Sequence, residues 1–263
     1  MANGRIPRLP KPQIKKNRGR KVIYLLLLFF IVLLIVLFFR SSISKIDSIE
    51  IKGNHYIERE QAGQALSIDI GDSFFSASAG RLEKRIQKLT NVESVTVIKH
   101  FPGQVQVKIK EFGEVAYVIG QDGKMRIVLS NGNVVIPLKG KSIGLMPVLS
   151  GWEQQLDDQK KLSGRLKDIP QTLLADISQI KPDPTASYPD RIRLYTRSHF
   201  EVITTIGYLP DKIDYMRAII SKREPGEIIL LEANSYRSYE SILKPVDESV
   251  QTDPVQTDSD KSQ

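Results

Sequence analysis

VTVIKHFPGQVQVKIKE, residues 95–111, decides the fold of its surroundings. Val105, Val107 and Ile109 alternate strictly with polar residues. Successive side chains of a strand point to opposite faces, so this segment is predicted to be a strand with one buried face. Phe101-Pro102-Gly103 is a turn signal, and Val95 and Val97 begin a strand before it. The reading is a half-buried antiparallel hairpin whose apolar face needs a cover.

Two helices upstream can supply it. Glu58 to Leu66 places Ala62, Ala65 and Leu66 inward, and Gly71-Asp72-Ser73 breaks the chain. Leu82, Ile86 and Leu89 then recur at i, i+4 and i+7, which is one helix face. Before them Ile49 and Ile51 alternate with Glu50, and Gly53-Asn54 ends that strand. Residues 43–112 therefore read β-α-α-β-β, an α+β plan. The boundary to the next module falls near Glu111 to Gly113.

Residues 113–239 read as a mainly antiparallel β domain with helices. Val115 to Ile119, Met125 to Leu129 and Val134 to Leu138 are strand-like, joined by the hairpin turns Gln121-Asp122-Gly123 and Asn131-Gly132. Residues 139–165 are polar and give no reading. Pro170 fits the first turn of a helix with Leu173, Leu174, Ile177 and Ile180 as its stripe, ended by Lys181-Pro182-Asp183-Pro184. Ile192 to Thr196 and Phe200 to Thr204 form a second hairpin. Leu209 to Lys222 is a helix that aligns Ile213, Met216 and Ile220, and Glu227 to Leu231 is the last strand. Residues 245–263 hold five acids, one Lys and no aromatic residue. Such a composition cannot offset its ordering entropy, so 240–263 is expected to be a disordered acidic tail.

Towards the N-terminus, Val22 to Phe39 is an uncharged apolar run of 18 residues. At ~1.5 Å per residue it spans about 27 Å, close to a bilayer's hydrocarbon core. A core helix apolar on every face would need a larger protein around it. A cleavable signal has a shorter apolar core and an Ala-x-Ala-like site, whereas Arg40-Ser41-Ser42-Ile43 follows here. Residues 22–39 are thus expected to be a retained transmembrane helix. Residues 1–21 carry eight Lys and Arg and no acid, so the remaining chain holds 38 − 8 = 30 bases against 30 acids. The basic tail is expected in the cytoplasm and everything after the helix outside, a single-pass type II arrangement. A nucleic-acid binder needs a basic patch on a folded domain, and the neutral remainder excludes that reading.

Chemistry is harder to find. The chain has no cysteine, hence no disulfide or thiolate site. His55, His100 and His199 lack zinc-helix spacing, and no G-x-S-x-G, Walker A or G-x-G-x-x-G motif occurs. S-x-x-K appears at Ser42–Lys45, Ser178–Lys181 and Ser241–Lys244 without K-T-G or S-D-N, which marks chance hits. Asp211, Asp214, Glu227 and Glu232 read as surface charges. No catalytic residue, metal or cofactor is expected. An anchored chain of this kind is most simply an interaction protein, and a sheet edge is the physical means. Glu227 to Leu231 is such an edge, an internal strand or an edge covered by the tail, and its composition does not decide among them.

The motifs resemble those of the FtsQ/DivIB family of bacterial cell-division proteins. Gly53-Asn54-His55-Tyr56-Ile57 resembles G-N-x-x-[IV], and Gly71-Asp72-Ser73-Phe74-Phe75 resembles G-x-S-[FL]-F. Leu89-Thr90-Asn91-Val92-Glu93-Ser94-Val95 resembles L-P-x-V-x-x-[AV], with Thr90 in place of Pro. Phe101 to Glu111 resembles [FW]-P-x-x-[LV]-x-[IV]-x-[IV]-x-E. The resemblance covers residues 21 to about 239. It implies a POTRA domain at 43–112 and a non-enzymatic part of the divisome at the septum, in the cytoplasmic membrane. The implied partners are FtsL-type and FtsB/DivIC-type single-pass proteins, with a septal penicillin-binding protein as a further candidate. In the family the partner contact uses the end of the β domain. The matching positions are Glu227, Ile228, Ile229, Leu230, Leu231 and Glu232, with Tyr236 and Tyr239 as candidate anchors, tyrosine being favoured at interfaces. A POTRA-type translocation chaperone would carry several repeats and a β-barrel, and an anchored wall enzyme would carry a catalytic set. Neither pattern is visible in the sequence.

Overall fold

The computed structural model describes residues 18–138 and 144–243. The chain divides into two compact units, Met1–Lys110 and Glu111–Gln263. The expected cytoplasmic tail up to residue 17 and the acidic tail from 244 onward lie outside the described residues.

The first unit opens with helix α1 (Arg18–Arg40), whose mean hydropathy over its apolar window is 3.5. It is long and apolar enough to cross a membrane, and it buries none of that window against protein. A 3-10 turn, Ser42–Ser44, follows directly. Then come β1 (Ser48–Lys52), α2 (Arg59–Leu66), α3 (Ala79–Ile86), β2 (Val92–His100) and β3 (Gln104–Glu111). The sheet order is β1-β3-β2, and β1 runs parallel to β3 with Ile51 opposite Val107. The β-α-α-β-β plan predicted from sequence is the observed one. β3 is therefore the central strand. Its Val105, Val107 and Ile109 face a core completed by Ala62, Leu66, Leu82 and Ile86 from the helices. Gly53 closes β1 at φ +83°, and a Cβ there would lie 2.1 Å from the Ile109 carbonyl oxygen. Only glycine permits that approach, and the Asn54 amide beside it donates to the Ile57 carbonyl at 3.0 Å.

The second unit is one nine-stranded sheet of order β12-β11-β10-β9-β8-β7-β4-β5-β6. Its strands are β4 (Glu114–Ile119), β5 (Met125–Leu129), β6 (Val134–Val135), β7 (Val148–Leu149), β8 (Ile177–Pro182), β9 (Arg191–Thr196), β10 (Glu201–Thr205), β11 (Gly226–Leu230) and β12 (Asn234–Ser238). Its helices are α4 (Leu156–Leu166), α5 (Gln171–Asp176), α6 (Leu209–Lys222) and α7 (Tyr239–Leu243). Leu162, Leu166, Leu173, Leu174, Leu209, Ile213 and Met216 pack from α4, α5 and α6 onto the inner face of the sheet. The predicted hairpin turns hold, with Gly123 and Gly132 at φ +71° and +86°. The α6 helix has the predicted bounds.

Four readings need correction. The segment 139–165 gave no reading, yet its described part forms β7 and most of α4, buried through Leu162. The helix expected to carry Leu173, Leu174, Ile177 and Ile180 stops at Asp176, and Ile177 begins β8. Ile177 and Ile180 are both fully buried three residues apart, which imitates a helix stripe. A β-bulge causes the resemblance. Ile177 pairs with Thr196 and Gln179 with Tyr195, so Ser178 is an extra residue that returns both isoleucines to one face. Lastly, Gly226–Leu230 is not the final strand, because β12 lies beyond it. The chain past Tyr239 also begins as α7 rather than as a tail.

Candidate partner-docking edge

Strand β11 is held on both sides. It pairs in parallel with β10, Ile228 opposite Val202, and antiparallel with β12, Ile228 opposite Tyr236. Of the predicted docking residues, Glu227, Ile228, Ile229 and Leu230 thus sit in an internal strand, while Leu231 and Glu232 lie in the turn that leads out of it. Ile228 and Leu230 are fully buried, whereas Glu227 and Ile229 are half-buried on the opposite face. Tyr236 lies within β12, and Tyr239 opens α7 immediately after it. Among the described residues the open edge thus passes from β11 to β12.

Pairing fixes which backbone groups of β12 look outward. The Tyr239 N–H donates to the Pro225 carbonyl at 3.2 Å, continuing the register in which Gly226 faces Ser238. In an antiparallel ladder, hydrogen-bonded and non-bonded pairs alternate. Ser235 and Arg237 therefore share the phase of Tyr239 and bond to β11. Asn234, Tyr236 and Ser238 turn their N–H and C=O groups to the open side. The Ser238 carbonyl already accepts the Ser241 hydroxyl at 2.7 Å as α7 begins. Tyr236 and Asn234 are left as the centre of a short pairing edge.

Side chains fasten this strand from below. The Tyr236 ring packs against the sheet core, and its hydroxyl donates to the Glu224 carbonyl at 2.6 Å. The Lys212 ammonium on α6 donates to the Asn234 amide oxygen at 2.9 Å. A Cβ on Gly226 would meet the Arg237 carbonyl oxygen at 2.1 Å, so glycine lets β12 lie this close. Across the outer face Tyr195, Glu201, Glu227 and Arg237 stand opposite one another from β9 to β12. Arg193 forms an ion pair with Glu201 and another with Asp183 at 2.9 Å. Tyr239 comes beside this row: burial first, then the charges of Glu201 and Glu227, push its phenol above its ordinary pKa.

Both sequence families that the layout suggested are found by comparison. The description "POTRA domain, FtsQ-type" matches residues 44–112, and "Cell division protein FtsQ/DivIB, C-terminal" matches residues 116–235. Cell division protein DivIB of Paenibacillus polymyxa (strain E681) is 42% identical over 237 residues, covering 90% of this chain and 93% of that protein. The chain belongs to the FtsQ/DivIB family of cell-division proteins. DivIB of Bacillus anthracis is 31% identical over 87% of this chain and 86% of its own length. Among solved structures, the major extracytoplasmic domain of the trans isomer of DivIB from Geobacillus stearothermophilus is 30% identical. It covers 43% of this chain and 93% of that one, at a TM-score of 0.36.

Four of the residues considered for other chemistry have structural places in this FtsQ/DivIB fold. The Ser178 hydroxyl donates to the Tyr195 carbonyl at 2.8 Å within the β8 bulge, and Ser241 bonds to Ser238. His100 ends β2, and His199, at φ +67°, turns β9 into β10. Among the described residues no three of His, Asp and Glu gather as a metal ion would require. The edge strand β12 was missed from sequence because Asn234-Ser235-Tyr236-Arg237-Ser238 carries one apolar ring and no alternation. Pro225-Gly226 follows α6, and its glycine marks the close approach of β12.

Proposed function

We propose that the chain is a non-enzymatic scaffold of the division machinery. Helix α1 crosses the cytoplasmic membrane with its basic N-terminus inside, and both domains work outside at the septum. Strand β12 accepts a strand from an FtsL-type or FtsB/DivIC-type partner, and that contact helps couple those proteins to septal wall synthesis. The observation that carries this reading is a terminal strand whose Asn234 and Tyr236 backbone groups face away from the sheet. A partner strand there would extend a preformed sheet without unfolding anything. The other terminal strand, β6, has two residues and offers far less.

The test is a titration of the full-length protein in nanodiscs with the joined ectodomains of the cognate FtsL-type and DivIC-type proteins. Tyr236→Pro removes an outward donor while sparing the β11 ladder, and Tyr236→Val keeps the donor but loses the ring. A net hydrogen bond contributes about 1 kcal/mol, and the proline ring adds a steric block. Tyr236→Pro should therefore weaken binding by tenfold or more relative to Tyr236→Val. Equal affinities for the two variants would remove β12 from the contact. No binding by the unmodified protein would remove the partner assignment itself.

A further inference from the structure

The end of α1 carries an apolar surface built from residues other than those of β12. Phe38 and Phe39 lie in the last turn of the helix, before Arg40, and the Phe75 ring lies 6.1 and 5.8 Å from theirs. Phe101, at the tip of the β2–β3 turn, lies 6.4 Å from Phe75. Phe75 and Phe101 are 51% and 55% exposed, and Ile43 and Ile70, on the same segments, are 52% and 69% exposed. Solitary exposed apolar residues need no explanation, but a contiguous group of this kind marks a binding surface.

The backbone fixes this group in place. The Ser44 hydroxyl donates to the carbonyls of Phe39 and Ser41 at 2.9 Å each, so the chain leaves the helix through a tied turn. Directly after it, the Phe74 N–H donates to the Ser44 carbonyl and the Ile46 N–H to the Asp72 carbonyl, both at 2.8 Å. These bonds hold the Ile70–Phe75 loop to the helix end. The Asp47 N–H donates to the Gly103 carbonyl at 2.8 Å, which holds the Phe101 turn to the same segment. Lys99 closes the arrangement from inside. Its ammonium donates to the carbonyls of Phe74 and Ala77 and lies 4.3 Å from the Phe74 ring. Three separate segments thus present rings at the level where a membrane-crossing helix ends.

We infer that Phe75 and Phe101, with Ile43 and Ile70, insert into the headgroup–acyl boundary of the outer leaflet and seat the POTRA domain on the bilayer. Aromatic rings favour that depth, and the surface is continuous with the lipid-facing end of α1. Asp69 and Asp72 share the loop while Arg40 and Lys45 flank the turn, so the charges offset one another and the attraction is apolar. The seat directs the Phe101 turn toward lipid and the start of β2 away from it. The inference rests on α1 crossing the membrane and is independent of the β12 contact.

The chain has no cysteine, so single-cysteine variants of the full-length protein can carry a spin label at one site. The labelled protein is reconstituted in phosphatidylethanolamine–phosphatidylglycerol vesicles. Labels at Phe75→Cys and Phe101→Cys should be more accessible to membrane-dissolved oxygen than to an aqueous nickel chelate. A label at the exposed Lys88→Cys, before the far end of β2, should show the reverse. Neither result should change with salt. Because a nitroxide can draw itself into lipid, a second measurement places it at Ser76→Cys, beside the native rings. Adding Phe75→Ser and Phe101→Ser should move that label toward water. Water-like values at both phenylalanine sites, or a Ser76 label unmoved by loss of the rings, would overturn the inference.

Discussion

Strands β3 and β12 are each paired by backbone bonds to a well-packed neighbour, but they occupy opposite positions. β3 lies between β1 and β2 and is buried through three side chains, with its pattern of apolar and polar residues unbroken. Among the described residues β12 has a neighbour on one side only, and it commits a single half-buried ring. A central strand must satisfy both edges and bury a face, so its sequence shows the period of two. A terminal strand can be held by its ladder, one anchor and a neighbouring glycine. Its sequence then stays polar, which also keeps the edge from pairing indiscriminately.

The largest expected effect tests the β3 half of that contrast. Val107 has no exposed surface and stands opposite Ile51. Val107→Asp would bury an unpaired carboxylate, at a cost on the order of 4 kcal/mol or more. Small domains hold only about 5–15 kcal/mol in total. Hydrogen exchange should therefore show residues 44–110 unprotected while the second unit stays protected. Ser235→Asp on exposed β12 should change stability by no more than about 0.5 kcal/mol. Similar costs for the two substitutions would dissolve the distinction between the strands.

These two strands also show what could be read from the sequence. The first domain was legible almost completely, because each element buries one regular face. Leu82 and Ile86 gave α3, which stops at Ile86 and leaves Leu89 in the turn beyond, while Val105, Val107 and Ile109 gave β3. In the second domain the hairpin β9–β10 and helix α6 were legible for the same reason. β8 was not, because Ser178 shifts the phase and places Ile177 and Ile180 at helical spacing. The strand read as the last one, Glu227 to Leu231, is internal, and the terminal strand β12 lies a few residues beyond it. Burial makes β11 conspicuous and leaves β12 plain, whereas an open edge requires the reverse. Pairing register, which decides that question, depends on long-range neighbours and has no local signal.

Removing the bulge would sharpen this explanation. Deleting Ser178 restores a plain register and turns Ile177 from the core to the outer face. Losing the burial of one isoleucine costs about 1.5–3 kcal/mol, before any misfit of Asp176 and α5 is counted. Denaturant unfolding of the second unit should shift by at least that much. Ser178→Ala keeps the extra residue and loses only the bond to the Tyr195 carbonyl, about 1 kcal/mol. Equal effects would mean that the hydroxyl, not the bulge, determines the local packing.

A smaller effect tests how β12 is held. Gly226→Val puts a side chain where the Arg237 carbonyl oxygen lies, and backbone cannot yield as a flexible side chain can. Overpacking of this kind costs about 1–3 kcal/mol. The expected outcome is detachment of β12 and α7 alone: faster amide exchange at Ser235 and Arg237, with β10 still protected. Under the proposed docking at β12, partner affinity should fall with it. Loss of protection throughout the sheet would show instead that β12 is integral to the core.

Tyr239 gives the smallest effect and the most local one. Burial of the phenol, the carboxylates of Glu201 and Glu227, and the nearby Tyr195 all disfavour the phenolate, against one opposing backbone bond at Glu201. The folded pKa is therefore raised above that of the unfolded chain, near 10. In the interval between those two values the folded state binds the proton more tightly, so stability falls as pH rises. Below about pH 10 both states keep the proton and this contribution is complete and constant. The ring is only partly buried, so the slope should be modest. Denaturant midpoints of the unmodified protein and of Tyr239→Phe should run parallel from pH 7 to 9. Above pH 10 the unmodified protein should lose stability faster, because phenylalanine has no proton to release. Parallel curves up to pH 11 would mean that the phenol is solvated and that α7 does not pack over the Glu201–Glu227 row. In that case the anchoring of the edge would reduce to Tyr236, Lys212 and the close approach at Gly226.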